Sequence, residues 1–88
     1  MKTIVASVGH GGLNRTDDVR LVQGLLNRHM PPLQRPLVVD GVMSPRTIVA
    51  IEAFQRRVVN MHRPEGRIDP GDRTMAALAC QVEQAPTL

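Results

Sequence analysis

The chain has 88 residues, of which 42% are hydrophobic and 22% charged, so it has the composition of one soluble globular domain rather than of a disordered chain. Its formal net charge is +3 and all but one of its 11 basic residues are Arg, the side chain best suited to bidentate binding of carboxylates or phosphates. Phe54 is the single aromatic residue, which argues against binding bases or sugar rings on a row of stacked side chains.

Residues 1–16 are predicted to form a lead-in segment before the folded domain. Their apolar run over residues 4–8 ends at Gly9-His10-Gly11-Gly12, so it is too short for a membrane span or for the apolar core of a secretory signal peptide. If the protein leaves the cytoplasm, we therefore expect a route that needs no such signal.

The first helix is predicted over residues 17–29. Thr16 is its expected N-cap because two acidic residues follow it, and acidic side chains are favourable in a first helical turn. Apolar residues then recur at helical spacing until Met30-Pro31-Pro32 ends the pattern. These apolar positions are Val19, Val22, Leu25 and Leu26.

A loop and a short strand are predicted between the first two helices. Three prolines between residues 31 and 36 predict the loop, because proline donates no backbone hydrogen bond. The apolar segment Leu37-Val38-Val39 is long enough for only a strand fragment before the Asp40-Gly41 turn. We expect that fragment to pair with Ile4-Val5.

The second helix is predicted over residues 45–60. Ser44 offers an N-cap hydroxyl, and Pro45 takes the first helical position, where its missing N–H costs nothing. Glu52 and Arg56 are spaced to form an ion pair across one turn. The apolar face consists of Ile48, Ile51, Phe54 and Val58.

The third helix is predicted over residues 70–80, because Asp69-Pro70 repeats the cap-and-proline start. Its apolar stripe consists of Met75, Leu78 and Val82. Cys80 is the only cysteine, which excludes an internal disulfide, and we expect it to pack between helices. Residues 83–88 indicate a linker or tail, which leaves residues 17–82 as the domain.

Together these elements predict an all-α fold, a compact three-helix bundle with long connecting loops and at most a short two-stranded β fragment. The starts of the second and third helices share the pattern Arg-Thr, two residues, Ala and an aliphatic residue, at Arg46–Ile51 and Arg73–Leu78. This repeat indicates an internal duplication, although similar capping chemistry at two helix starts would also produce it. The predicted core consists of Val22, Leu25, Leu26, Ile51, Phe54, Val58 and Leu78.

Three segments carry a resemblance to a known family. Asp18–Asn27 contains the pattern V..VQ..LN, Asp40–Gln55 reads close to DG.fGp.T..Ai..FQ, and Gly66–Leu78 is similar to DG.vg..T...L. In these segments the chain resembles the peptidoglycan-binding domain family, the three-helix modules appended to bacterial and phage cell-wall hydrolases. The opening Ser7–Asn14 is similar to the lead-in of such modules in effectors of the type VI secretion system.

The chain departs from the family pattern at four positions. Met43 and Ser44 stand where the family usually has an aromatic residue and Gly. Met75 stands where it often has Trp, and Glu65 replaces the Asp of the closing turn. These departures bear on the ligand surface rather than on the fold.

The resemblance implies a non-catalytic module that binds cell-wall peptidoglycan and targets an attached or partner hydrolase or toxin to the wall. It implies a protein that is made in the cytoplasm and acts in the periplasm or outside the cell. We expect a monomer without cofactors and without membrane or nucleic-acid partners.

Four residues are candidate ligand contacts. Arg46 and Arg73 lie in the first turns of predicted helices, where anions are favoured, and suit the carboxylates of peptidoglycan peptide stems better than the glycan. Asp40 is also expected to accept N–H groups within its own turn. Gln55 shares the apolar face of its helix and needs buried partners, which equally suits an amide that clamps a loop.

No metal or catalytic site is predicted. His10, His29 and His62 match no metal-ligand spacing. No nucleophile, base or acid pair occurs in a pattern that indicates catalysis, so we expect that the chain is not an enzyme.

Two other functions are compatible with the sequence. A basic three-helix unit could bind DNA, but a long proline-containing connection separates the first two helices where a helix-turn-helix has a turn of about 3–4 residues. Alternatively, the module could dock other proteins in a secretion or phage system, keeping the fold without the cell-wall ligand.

Overall fold

Three helices and one short two-stranded sheet make up the part of the chain that the structure describes. The structure is a computed structural model that describes residues 3–30 and 35–80. The helices are α1 (Thr16–Arg28), α2 (Pro45–Arg57) and α3 (Arg73–Ala79), and the strands are β1 (Val8–Gly9) and β2 (Arg67–Ile68). β1 pairs antiparallel with β2, so that the N-terminal segment lies beside the connection between α2 and α3.

Most of the predicted core is buried, namely Val22, Leu26, Ile51, Phe54 and Leu78. Leu25 is only partly buried against this core. Val58 is 40% exposed, so its predicted place in the core is wrong. Ile4, Val8 and Ile68 are buried as well, because the sheet brings the N-terminal segment onto the helices.

The start of α1 differs from its prediction by one residue. Arg15, not Thr16, is the N-cap, and its side chain makes no capping hydrogen bond. The carbonyl oxygen of Arg15 accepts the N–H of Val19 at 2.9 Å, so Thr16 is already helical. Asp18 in the first turn is buried and accepts the N–H groups of residues 5 and 6, both at 3.0 Å. This carboxylate fixes the N-terminal segment on α1.

The predicted strand at Leu37-Val38-Val39 is absent, and so is its pairing with Ile4-Val5. Side chains of α1 form hydrogen bonds with the backbone groups that would otherwise pair between two strands. Asn27 accepts the N–H of Leu37 at 2.8 Å and donates to its carbonyl oxygen at 3.0 Å, while Asp18 holds Val5. Within the described ranges, β1 and β2 form the only sheet.

The start of α2 is confirmed, whereas its end is earlier than predicted. Ser44 is the N-cap and its hydroxyl oxygen accepts the N–H of Thr47 at 3.3 Å. The helix ends at Arg57 instead of residue 60, and Asn60 has a left-handed φ of 64°. Val58 is therefore the C-cap of α2 and lies beyond its last helical residue, with its side chain partly exposed.

The predicted Asp69-Pro70 start of α3 is also wrong. Asp72 is the N-cap, and its carboxylate accepts the N–H of Met75 at 2.8 Å. Asp69 instead opens a tight turn, in which its carbonyl oxygen accepts the N–H of Asp72 at 3.2 Å. Gly71 has a φ of 78° within that turn, which a helix does not allow.

Cys80 is exposed at the end of α3, so the prediction that it packs between helices is wrong. Val82, the predicted tail at residues 83–88 and most of the predicted proline loop lie outside the described residues. In the part of the chain that the structure does describe, no helix is long and apolar enough to cross a membrane.

Candidate functional site

Gln23, on α1, clamps the loop that leads to α2. Its Oε1 accepts the N–H groups of Asp40 and Gly41 at 3.1 and 2.9 Å. Its Nε2 donates to the carbonyl oxygen of Val42 at 3.1 Å and contacts Oγ1 of Thr47 at 3.2 Å. We call this set the first clamp. It ties the middle of α1 to the beginning of α2 through one buried amide.

Gln55, on α2, makes the equivalent second clamp on the loop that leads to α3. Its Oε1 accepts the N–H of Gly66 at 2.9 Å. Its Nε2 donates to the carbonyl oxygen of Arg67 at 2.9 Å and to Oγ1 of Thr74 at 3.2 Å. Gln55 is 0% exposed, so its amide serves the loop and offers no atom to a surface ligand.

The two clamps extend the sequence repeat to a pair of equivalent loops. Thr47 and Thr74 belong to the repeated helix starts, and each bonds to a Gln of the preceding helix. The glycine held by each clamp has a positive φ, 76° at Gly41 and 68° at Gly66, a conformation that other residues adopt at a cost. These parallel contacts favour duplication over coincidental capping.

Asp40 has a structural contact as well as an exposed carboxylate. Its Oδ1 accepts the N–H of Val42 at 3.0 Å and lies 3.3 Å from Nε2 of Gln23. The bond from Val42 is the main reason that the pKa of the Asp40 carboxyl lies below its ordinary value of 3.8. The predicted turn role is therefore present.

Asp69 joins the N-terminal segment to β2. Its Oδ1 accepts the hydroxyl of Ser7 at 2.6 Å and Nε of Arg67 at 2.9 Å. The bond from Ser7, followed by that from Arg67, holds the pKa of the Asp69 carboxyl below its ordinary value of 3.8. Ionised Asp69 is therefore the form that fits this fold.

We expect the fold to lose stability in acid, and Asp69 to be part of the reason. A carboxyl whose pKa is lowered by folding stabilises the protein fully above its unfolded pKa, and this contribution is lost as the pH falls through the folded value. Urea unfolding of the parent and of Asp69→Asn at about pH 6 and about pH 3 measures the effect. The variant should lose less stability between the two pH values than the parent does. An equal loss would show that Asp69 does not contribute to the acid sensitivity.

A groove opens between the end of α1, residues 35–37 and α2, with a volume of about 440 Å³. Its lining is mainly apolar and includes buried Leu26, Leu37 and Phe54 together with the small side chains of Ala50 and Ala53. This volume lies within the usual range of small-ligand sites, about 300–1,000 Å³.

Three arginines border this groove, namely Arg35, Arg46 and Arg57. No Asp or Glu occurs among the described residues that line it. Nη2 of Arg57 donates to the carbonyl oxygen of His29 at 3.1 Å. Within residues 3–30 and 35–80, neither Arg35 nor Arg46 forms an ion pair. The groove thus combines an apolar floor with a positive edge that no acidic side chain of the described residues neutralises.

His29 supports the same edge from α1. One ring nitrogen lies 3.0 Å from the carbonyl oxygen of Leu78, and the ring packs edge-on against Phe54 with centroids 5.3 Å apart. The carbonyl that holds Arg57 therefore belongs to a residue fixed between α2 and α3.

The structure separates the predicted ligand residues. Arg46 lines the groove, whereas Arg73 is the exposed first residue of α3 and is not part of the lining. Arg35 and Arg57 were not predicted. Arg57 follows Arg46 by three helical turns and so shares its face, a spacing that could have indicated it; the place of Arg35 depends on a loop.

Among the described residues, no cluster of His, Cys, Asp and Glu could hold a metal ion. The predicted Glu52–Arg56 ion pair is absent in the same ranges, where the ion pairs formed are Asp17–Arg20 and Arg67–Asp69. Arg56 therefore remains exposed without that partner.

Comparison of the chain with protein-family models, curated proteins and solved structures gives no match.

Proposed function

We propose that this protein is a non-catalytic module that binds bacterial peptidoglycan, with the all-α three-helix architecture of the peptidoglycan-binding domains it resembles. The observation that carries the proposal is the pair of glutamine clamps. Residues that supply the resemblance along the sequence, such as Gln23, Gly41 and Thr47, contact one another in the first clamp. Residues Gln55, Gly66 and Thr74 do the same in the second, so the shared motif has a physical role as a scaffold.

The peptide stem is the part of the polymer that this surface suits. Sugar rings are usually held by stacking on aromatic side chains, and Phe54, the only aromatic residue, is 2% exposed. Carboxylates of the stem match the arginine edge of the groove. Arg46 is the predicted contact that lies on this edge.

In the cell, such a module raises the local concentration of an attached or partner hydrolase or toxin at the wall. Export of the kind used by type VI secretion effectors would bring it to the periplasm or outside the cell. This setting follows from the proposed ligand and the sequence resemblance.

Protein docking in a secretion or phage system is the second candidate, and exposed valines favour it. Val38 is 70% and Val42 60% exposed, and Val42 belongs to the loop that the first clamp holds. DNA binding has less support, since residues 29–44 separate α1 from α2 where a helix-turn-helix has about 3–4 residues.

Retention on purified sacculi tests the proposal. We expect Arg46→Ala to weaken binding about five- to tenfold, because a guanidinium on a partly shielded carboxylate contributes roughly 1–1.5 kcal/mol after solvent screening. Arg73→Ala should weaken it less, since Arg73 lies outside the groove, and added salt should weaken it further. Arg28→Ala, another exposed arginine on a helix, is the charge-matched control.

Four outcomes would contradict the proposal. Equal retention on glycan stripped of its peptides would exclude stem recognition. Release of soluble muropeptides by this chain alone would show that it is an enzyme. Absence of sacculus binding together with retention on heparin or DNA would favour the nucleic-acid alternative, whereas absence of both would favour the docking module.

A further inference from the structure

We propose that the groove bordered by Arg35, Arg46 and Arg57 is the ligand site, and that it takes an extended peptide of about five residues with small side chains and free carboxylates. The assignment of this peptide to the cell-wall stem rests on the proposed function. The groove itself is argued from its own geometry.

The apolar floor requires a ligand with apolar surface. The side chains of Ala50 and Ala53 are small, so the backbone of a peptide ligand can approach this face of α2 closely. Val49 at the rim is 61% exposed, and covering it would remove apolar area from water. A polyanion without apolar groups would leave this surface unused.

The arginines at the edge of the groove determine both the charge and the length of the ligand. Arg46 and Arg57 are separated by 11 positions of one helix, which corresponds to about 16 Å along the axis. An extended peptide covers about 3.3 Å per residue, so about five residues match the axial distance between the two arginine positions. Since no described acidic side chain lines the groove, carboxylates on the ligand are the complementary charges.

The same features disfavour nucleic acid as the occupant. Bases in single strands stack on exposed aromatic rings, and the ring of Phe54 lies in the core at 2% exposure. The arginines enclose a concave apolar surface instead of forming a continuous stripe along which a phosphate backbone could run.

A pair of synthetic peptides tests the site directly. The first is acetyl-Glu-Ala-Ala-Ala-Ala with a free C-terminus, whose two carboxylates lie about 16 Å apart when the peptide is extended. The second is acetyl-Gln-Ala-Ala-Ala-Ala amide, which has the same shape and no carboxylate. Titration of the isotopically labelled chain followed by NMR should shift amides along residues 46–57 with the first peptide. The neutral twin should bind about tenfold more weakly or not at all, because it cannot form charge-assisted bonds.

Variants then separate the groove from the rest of the surface. Arg46→Gln and Arg57→Gln should each weaken the acidic peptide about fivefold to tenfold. Ala53→Leu should block it by filling the floor while the charge is kept. Arg28→Gln removes the same charge outside the groove and should bind like the parent. Thermal melting of each variant establishes that the fold is intact.

The results distinguish this inference from the proposed function. Equal binding of the two peptides, or acidic-peptide binding unaffected by Ala53→Leu, overturns the groove as a carboxylate-peptide site. Sacculus retention without any acidic-peptide shift overturns the groove site and leaves the cell-wall function standing. Groove-dependent peptide binding without sacculus retention supports the site and overturns the cell-wall function.

Discussion

Replacement of Phe54 by Ala is expected to lower the free energy of unfolding by about 3–5 kcal/mol, a large share of the stability of a small domain. The ring is 2% exposed and packs edge-on against His29, with 65° between the planes. Removing it leaves a cavity between α1 and α2 as well as a wider groove floor. Urea unfolding followed by circular dichroism measures the change.

Val58→Ala is the matched control for this experiment. Val58 follows α2 directly and is 40% exposed, so its truncation removes little buried area and should cost less than about 1 kcal/mol. If Phe54→Ala unfolds at nearly the parent's urea concentration, or if Val58→Ala costs as much, the core described above is wrong.

The helices were largely predictable because their signals are local. Ser44 and Pro45 specify the start of α2 through one side-chain oxygen and one fixed backbone angle, and the structure has that start. The apolar spacing of Val22 and Leu26 placed the correct face of α1 in the core. Such signals act within a few residues and need no knowledge of the rest of the chain.

The wrong predictions occur where contacts between residues distant in the sequence determine the local structure. Asp69-Pro70 has the residues of a helix start, yet Asp69 is held by Ser7 from the N-terminal segment and α3 begins after Asp72. Likewise, Leu37 lies in a segment with the residues of a strand, but its backbone N–H and carbonyl oxygen form hydrogen bonds with the side chain of Asn27. A local pattern could not anticipate that a side chain from another element would bind these backbone groups.

The candidate site was predictable in part for the same reason. Arg46 could be named from its place in a first helical turn, whereas the groove exists only because residues 35–37 lie against α1 and α2. The requirement that Gln55 find buried partners was correct, and the structure supplies them from the next loop. Gln23, which makes the equivalent first clamp, was singled out only as part of the family pattern, and its hydrogen bonds to the loop were not predicted.

Replacement of Gln23 by Leu is expected to cost about 2–4 kcal/mol, although the two side chains are similar in size. Gln23 is 1% exposed, and Leu would leave the buried N–H of Gly41 without its partner and the buried hydroxyl of Thr47 with only its contact to the hydroxyl of Ser44. Each buried polar group that loses its hydrogen bond costs about 1–3 kcal/mol, while the exposed Asp40 backbone can turn to water.

Gln23→Leu should also reduce the local protection of the loop, in addition to the global stability. Hydrogen exchange at the Gly41 amide should accelerate more than exchange at amides in the middle of α2, because the loop is released before the core opens. Gln55→Leu should repeat the effect at Gly66, since the second clamp has the same construction. Arg28→Gln, an exposed change on α1, should alter neither stability nor exchange. A Gln23→Leu protein with parent stability and an equally protected Gly41 amide would show that the clamp contributes nothing to the fold, and would remove the observation on which the proposed family relationship rests.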